Sequence, residues 1–302
     1  MKRKILVSAF AAFCLLTALG LILYPGIGNY VNQKYITEVH AEYMQQMEES
    51  DDTDLLTIKQ QAEMYNQTLV PGVSAFQDYS TESLLTAAQN YEELLDPLGT
   101  GTMGYVEIPK ISVQLPILHG TDSQTLERGV GHLLGSSLPI GGDSTHTILS
   151  GHSGMASQKM FTDLALLEIG DVFYLQVLKE TLAYQVDDIQ TVLPHDTTHL
   201  QIVPGEDYCT LITCTPIGVN THRLLVRGHR IPYEEAVAAQ EEIALATTES
   251  GSDWERQYIL GLLLGLLAIT AVCTFFLFRR LIHSKKRHEG HFKGGRYLCG
   301  KH

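Results

Sequence analysis

Three residues in the middle of this 302-residue chain have the types needed for nucleophilic catalysis. Cys214 lies near the end of one apolar run, His152 follows a second such run, and Arg223 begins a third. A thiolate can attack a carbonyl carbon, an imidazole can move protons, and a guanidinium can stabilise the oxyanion or the substrate. Taken singly, each has a simpler explanation, namely a buried core thiol, a structural histidine or a surface ion pair. Residue types alone therefore indicate a cysteine enzyme without establishing one.

The elements that would position these side chains are short strands. From Gly104 onward, apolar or alternating runs are separated by turn residues, which is typical of a mostly antiparallel sheet or barrel. Each of the three side chains lies at an end of a predicted strand, and strand ends can meet at one rim of a small barrel. The predicted strands are Gly104–Ile108, Val113–Leu118, Thr145–Ser150, Val172–Leu178, Leu182–Val192, Tyr208–Thr215 and Arg223–Ile231.

The cysteines help to single out one thiol. Of five, only Cys209 and Cys214 belong to the polar middle of the chain. They are five positions apart on one predicted strand, so their side chains point to opposite faces. They are also roughly 16 Å apart at about 3.3 Å per residue, too far for a disulfide. We therefore predict that Cys209 is a core thiol and that Cys214 is free.

Helical segments flank the predicted strands. Residues 32–90 carry apolar side chains at helical spacing with an interruption at Pro71 and Gly72, and Glu82–Leu95 forms a second helical stretch. After the last strand, the Ala- and Glu-rich segment Glu234–Thr248 predicts a helical stalk.

Two uncharged segments, Ile5–Tyr24 and Tyr258–Phe278, are long enough to cross a membrane. Basic residues precede the first and follow the second, so both ends are predicted to be cytoplasmic and the middle extracellular. Because no small-x-small site follows Tyr24, an uncleaved anchor is favoured over a cleaved signal peptide. The predicted organisation is a cytoplasmic N-terminus (1–4), a transmembrane helix (5–24), a helical or lid region (25–100), a barrel (101–232), a helical stalk (233–257), a transmembrane helix (258–278) and a basic cytoplasmic tail (279–302).

The charge distribution excludes one class of partner. The formal net charge is −13, and many basic residues lie near the two ends, so the middle is more acidic still. An acidic extracellular domain argues against nucleic acid as a partner. No metal-ligand spacing, phosphate-binding loop or cofactor motif is evident, and we predict neither a metal nor a cofactor.

Three motifs in family order resemble those of the sortases. TLITC (Thr210–Cys214) is similar to the TLxTC box, and Ser150-Gly151-His152 to the SGH element. His152 precedes Cys214 by 62 positions and Arg223 follows it by nine, as in that family. The stretches MGYVEIPKI, ERGVGHLLGSSLPIGG and TPIGVNTHRLLVRGHRI resemble class C, the pilin-polymerising sortases of Gram-positive bacteria, whose members also carry two hydrophobic spans.

The resemblance implies a mainly β fold, a closed eight-stranded sortase barrel with N-terminal helices, flanked by two transmembrane helices. It implies that Cys214 is the nucleophile, His152 the general acid and base, and Arg223 the stabiliser of the oxyanion and substrate, with support from Thr213. The implied substrate is an LPXTG-like sorting signal of a pilin or surface protein, cut between Thr and Gly. A lysine amine of the next pilin, or a lipid-linked cell-wall precursor, would then resolve the thioacyl intermediate.

The chain departs from class C at the lid, which in many members carries an Asp-Pro-aromatic motif over the cysteine. Here Asp96-Pro97 is followed by Leu98 and lies just before the first predicted strand, where a loop is expected. At the lid's usual place the candidates are Phe76, Asp78 and Tyr79, without an Asp-Pro pair. An aromatic cap over the cleft and a plain connecting loop both stay open.

Two alternatives to transpeptidation can be distinguished by experiment. A cysteine protease would resolve the thioester with water, so its product would not change when an amine is added. A membrane-tethered assembly module without turnover would keep its function after Cys214→Ala.

Overall fold

The computed structural model describes residues 2–69, 90–155 and 158–239, together with 261, 264 and 265. The chain forms two units, Met1–Glu242 and Ile243–His302. Among the described residues, the α-helices of the first unit are α1 (Lys2–Glu49), α2 (Asp52–Thr68), α3 (Ser123–Arg128) and a further helix over residues 233–239. The strands are β1 (Thr102–Ile108), β2 (Val113–His119), β3 (Val130–His132), β4 (Thr145–Ser150), β5 (Val172–Val177), β6 (Glu180–Val192), β7 (Asp207–Thr215) and β8 (His222–Ile231).

The eight strands close into a barrel in the order β1-β2-β3-β4-β7-β8-β6-β5. The β2–β3 and β4–β7 pairs are parallel, and the other pairs are antiparallel. The closed barrel and its mostly antiparallel pairing are as predicted. Closure leaves each strand of the barrel with two neighbours, so no edge of the sheet is open to pairing with another chain.

One strand escaped prediction from the sequence. β3 contains only three residues, Val130–His132, which is too short to show alternation. Its central residue, Gly131, lies so close to the neighbouring loop that a Cβ atom there would be 2.2 Å from the carbonyl oxygen of Gly120. Only glycine permits this approach without a shift of the backbone.

The side chains of the sheet divide into two apolar clusters. The main core fills the barrel interior and includes Cys209, Leu211, Leu149 and Val226. A second cluster lies on the outer face of β4, β7, β8 and β6 and consists of Ile148, Ile212, Leu225 and Val192, with Leu200 from the β6–β7 connection. Alternation along each strand separates the two clusters. The outer cluster therefore lies on the outside of the barrel, beneath the β6–β7 connection that contributes Leu200.

The N-terminal helices pack on the barrel. Ile36, Tyr43 and Met47 lie on one face of α1 and are buried, and the Tyr43 hydroxyl accepts a hydrogen bond from the Leu178 N–H at 3.2 Å. In α2, the amide of Asn66 bonds both the N–H and the carbonyl of Leu138, at 2.7 and 3.3 Å. Helices were predicted in this region, and the described part confirms them.

The second predicted helical stretch, Glu82–Leu95, differs from the structure where it is described. Residues 82–89 lie outside the described residues, and Tyr91–Glu93 form a single 3-10 turn instead of an α-helix. Leu95 then adopts a left-handed conformation with φ of 57°, which ends any helix. Tyr91 is buried there, so tertiary packing overrides the helical pattern of the sequence.

The predicted membrane segments stay predictions. Within the described residues, no helix combines the length and apolarity required to cross a membrane. Ile5–Tyr24 forms part of α1, and of Tyr258–Phe278 only residues 261, 264 and 265 are described.

Two histidines are buried in the barrel. His132 is fully buried, its Nε2 donates to the Ser137 carbonyl at 2.9 Å, and its Nδ1 lies 2.7 Å from the Tyr91 hydroxyl. Burial lowers the pKa of His132 from 6.5 to about 4, and it lowers the pKa of His146 on β4 similarly to about 4. Both side chains are therefore neutral in the folded protein near neutral pH.

We predict that stability falls as the pH drops from 6.5 to 4. In this window the histidines of the unfolded chain bind protons that the buried histidines of the folded barrel do not bind. Their stabilising contribution to the folded state is therefore complete above pH 6.5 and is lost progressively as the pH falls toward 4. Each histidine contributes a slope of about 1.4 kcal/mol per pH unit to the free energy of unfolding. Urea unfolding across this window should show a shallower slope for His132→Gln than for His195→Gln, a control substitution on the exposed surface. Equal slopes for both variants would contradict the assignment.

Candidate active site

Of the two barrel cysteines, the more accessible one lies on the outer face of β7. Cys209 and Leu211 point into the core, while Ile212 belongs to the outer cluster. Since Cys214 is two residues beyond Ile212, it shares the outer face, where its side chain is half-buried. Burial raises the pKa of the Cys209 thiol well above its usual value, so that thiol stays protonated and inert. The opposite orientation of the two cysteines is as predicted.

Arg223 lies directly beside Cys214 on the neighbouring strand. The two residues are register partners in the antiparallel β7–β8 pair, so their side chains project from the same face. Opposed residues of such a pair have Cβ atoms about 5 Å apart. The guanidinium Nη1 donates to the carbonyls of Asn220 at 3.3 Å and His222 at 3.1 Å. These bonds hold the Arg223 guanidinium at the start of β8, next to β7, the strand that carries Cys214.

His152 comes beside Cys214 from the other side. In the parallel β4–β7 pair, Ser150 is the register partner of Ile212, and the Gly151 N–H donates to the Ile212 carbonyl at 2.9 Å. His152 and Cys214 each lie two positions beyond these partners. The order β4-β7-β8 therefore brings together, at one end of the barrel, a histidine two residues beyond the end of β4, a thiol on β7 and a guanidinium on β8.

Two hydroxyl groups connect residues 151–153, which we call the histidine segment, to β7, the strand that carries Cys214. The Thr213 hydroxyl donates to the Gly151 carbonyl at 2.8 Å, and the Ser153 hydroxyl donates to the Cys214 carbonyl at 2.7 Å. Because Thr213 is buried and alternates with Cys214, its side chain does not share the cleft face. Thr213 thus contacts the site through the backbone of the histidine segment. Ser153 was not identified from the sequence, since a single serine beside a histidine carries no distinguishing pattern.

Glycine is required where this segment passes over the core. A Cβ on Gly151 would lie 2.7 Å from the Phe161 ring, and the Phe161 N–H donates to the His152 carbonyl at 3.0 Å. Gly154 has φ of +73°, and a Cβ there would lie 2.5 Å from Ile217 in the β7–β8 loop. The backbone around His152 is therefore held between Phe161 and the loop that follows Cys214.

The surroundings of the thiol are apolar. The outer cluster lies next to it, under the β6–β7 connection over residues 193–206. Ile217 and Val219 in the β7–β8 loop are 55% and 65% exposed. Such a surface suits an extended peptide with apolar side chains.

The lid candidates Phe76, Asp78 and Tyr79 lie outside the described residues. The Asp96-Pro97 pair does lie in a loop, as predicted, and the Asp96 carboxylate accepts hydrogen bonds from the N–H groups of Thr100 and Gly101, both at 2.9 Å. Within the described part of the chain, no three His, Cys, Asp or Glu side chains are grouped to hold a metal ion.

Comparison with known proteins connects this geometry to a family. Residues 106–231 match the family model described as a sortase domain. Sortase D of Bacillus subtilis is 32% identical over 131 residues, which covers 42% of this chain and 63% of that protein. The chain thus spans just under two thirds of the length of this curated relative.

Solved structures match a longer part of the chain than the family model does. Sortase C1 of Streptococcus agalactiae is 47% identical with a TM-score of 0.60, and the match covers 65% of this chain and 98% of that one. Sortase C of Streptococcus pneumoniae, whose structure bears on catalysis and pilin substrate specificity, is 41% identical with a TM-score of 0.58, and the match covers 65% of this chain and 97% of that one.

The two barrel cysteines should differ sharply in reactivity. We predict that iodoacetamide modifies Cys214 in the folded protein at least about tenfold faster than Cys209, because Cys214 is half-buried whereas Cys209 is fully buried. Peptide mass mapping of the intact chain after timed labelling measures both rates. Unfolding in urea should make the two rates similar, and equal rates in the folded state would contradict the assigned orientation of β7.

Proposed function

Since the chain belongs to the sortase family of cysteine transpeptidases, we propose that its barrel cuts an LPXTG-like sorting signal between Thr and Gly and transfers the acyl group to an amine. The observation that supports this most directly is the strand register. In this register Cys214 is the partner of Arg223 on β8, and His152 follows the end of β4, whose last residue, Ser150, is the partner of Ile212. These three side chains supply a nucleophile, a proton carrier and a cation for the oxyanion.

In the first half-reaction, the Cys214 thiolate attacks the carbonyl carbon of the signal's threonine. The guanidinium of Arg223 stabilises the negative oxygen of the tetrahedral intermediate. The C–N bond to glycine then breaks, and protonated His152 gives its proton to the leaving amine. The products are a thioester on Cys214 and a free C-terminal fragment that begins with glycine.

In the second half-reaction, an amine attacks the thioester carbonyl and His152 accepts its proton. The C–S bond breaks, an amide bond forms, and Cys214 leaves as the thiolate. Thr213 and Ser153 support both steps by joining the histidine segment to β7 through their hydroxyl groups. None of these steps requires a metal or a cofactor.

The substrate and acceptor proposed are a pilin or surface protein carrying the signal and a lysine amine of the next pilin. The likeness to sortases C, among them a pilus-related enzyme of Group B Streptococcus, favours a pilin. A lipid-linked cell-wall precursor is the other acceptor of suitable chemistry. Acyl transfer to either acceptor leaves an amide bond in place of the thioester.

The proposed location is the cell membrane, with both termini cytoplasmic and the barrel outside. Support comes from the uncharged segments at both ends and the basic residues that flank them, since positive charge marks the cytoplasmic side. An extracellular barrel would meet both sorting signals and cell-wall precursors at the membrane surface.

Substitution of the three side chains tests their roles. Cys214→Ala should abolish the thioacyl adduct with an LPXTG peptide, His152→Ala should lower kcat/KM by about 10²–10⁴-fold, and Arg223→Lys by about 10²–10³-fold. The adduct is measured by intact mass and the rate by fragment release. Cys209→Ala is the matched control, because it removes a thiol from the core on the opposite face. Turnover that survives Cys214→Ala would refute the mechanism.

An added amine distinguishes transfer from hydrolysis. We predict that a peptide with a free lysine amine converts the product from the free acid to the amide and lowers the yield of acid, because both nucleophiles compete for one thioester. Liquid chromatography with mass detection measures the ratio. A product that stays entirely acid at high amine concentration would identify a cysteine protease instead.

A further inference from the structure

A buried histidine outside the proposed mechanism lies on the outer face of β4. His146 is only 1% exposed, and its register partner is Tyr208 on β7. It lies on the same face of β4 as Ile148, a member of the outer cluster beside Cys214. The chemistry proposed above does not use this side chain, so its buried polar ring requires another explanation.

Both ring nitrogens of His146 are engaged, and their partners define the tautomer. Nδ1 lies 2.9 Å from the carbonyl oxygen of Gln201, which can only accept, so Nδ1 carries the hydrogen. Nε2 lies 2.7 Å from the Thr210 hydroxyl and accepts from it. The neutral ring thus has one donor and one acceptor, both satisfied, in agreement with the low pKa that burial gives it.

The two bonds join different parts of the surface. Thr210 belongs to β7, four residues before Cys214, whereas Gln201 belongs to the connection over residues 193–206, which we call the β6–β7 loop. The His146 ring therefore links β7, the strand that carries Cys214, to the β6–β7 loop. Leu200, next to Gln201, packs in the outer cluster with Ile212, two residues before Cys214.

An aromatic side chain, which itself contacts an ion pair, packs against the His146 ring. The His146 ring meets Tyr208 edge-on with centroids 5.7 Å apart, and the Arg227 guanidinium lies 4.3 Å from the Tyr208 centroid. Arg227 bonds both carboxylate oxygens of Asp187 at 3.0 Å. These contacts hold His146 in the orientation that reaches the β6–β7 loop.

Other polar attachments of the β6–β7 loop lie at its C-terminal end or on the surface, and one of them is the hydrogen bond from the Thr145 N–H to the Glu206 carbonyl at 3.0 Å. The Gly205 N–H donates to the Ser144 hydroxyl at 2.9 Å at the exposed end of the loop, and His199 lies 3.7 Å from the Asp188 carboxylate on the surface. Exposed bonds and ion pairs contribute little to rigidity. The hydrogen bond from His146 is a buried polar attachment near the middle of the loop, next to the apolar contact of Leu200 with the outer cluster.

We propose that His146 is a positioning residue that fixes the β6–β7 loop as one wall of the peptide groove beside Cys214. This rests on the proposed function for its effect on turnover. A fixed wall is organised before the sorting signal binds, so the signal does not have to order it. Release of the β6–β7 loop should weaken binding of the sorting signal and leave the rate of the chemical step unchanged.

The experiment compares three variants of the full-length protein in detergent. His146→Phe keeps a ring but removes both hydrogen bonds, His146→Gln retains a donor and an acceptor, and Thr210→Val keeps the bond to Gln201. With an LPXTG peptide, we expect His146→Phe to raise KM about tenfold with kcat within about twofold. His146→Gln should restore much of the affinity, and Thr210→Val should have the smaller effect.

A second measurement does not depend on activity. Amide hydrogen exchange should accelerate in His146→Phe at Asp196, Leu200 and Glu206, whose N–H groups bond within the loop, and not at β5. This pattern with the KM effect supports the proposal. Loop exchange equal to the wild type, or a fall in kcat with unchanged KM, overturns it. If the wild type forms no adduct, the proposed function fails, and exchange alone decides whether His146 fixes the loop.

Discussion

The strand register across β4, β7 and β8 is the constraint on which the rest of the molecule depends. Because side chains alternate along a strand, a shift of β7 by one residue would turn Cys214 into the core and Cys209 outward. The apolar side chains on both faces resist such a shift. Leu211 fills the interior and Ile212 the outer cluster, so a slipped register would exchange their surroundings and separate Cys214 from its partner Arg223.

The same strands therefore serve stability and chemistry at once. Their inner side chains build the barrel core, and their outer side chains form the floor of the site. Beyond the end of β4, regular pairing is replaced by side-chain hydrogen bonds from Thr213 and Ser153. Backbone hydrogen bonds and hydroxyl groups thus hold His152 beside β7 even though it lies outside a strand.

Much of this arrangement could be predicted from local patterns. Alternation located seven of the strands, and the odd spacing of Cys209 and Cys214 correctly placed them on opposite faces. The identities of the three candidate residues came from motif spacing, and the structure puts Cys214 and Arg223 on adjacent strands and His152 just beyond the end of β4. Tyr91–Glu93 differed from prediction because burial of Tyr91 and the left-handed Leu95 oppose a helix.

The long-range features could not be predicted in the same way. The strand order and the parallel β4–β7 pair depend on contacts between segments more than fifty residues apart, which periodicity does not record. His146 carries no sequence signal either, because its partners Gln201 and Thr210 are distant in the chain. Polar residues whose role is to position a loop become visible only when the fold is known.

A crystal structure of the protein with an LPXT peptide analogue bound covalently to Cys214 tests the central claim most directly. We expect the peptide over the outer cluster, its threonine carbonyl oxygen about 3 Å from the Arg223 guanidinium, and the His152 ring beside the sulfur. A peptide bound on a different surface of the barrel, or Arg223 and His152 turned away from the modified sulfur, would contradict it.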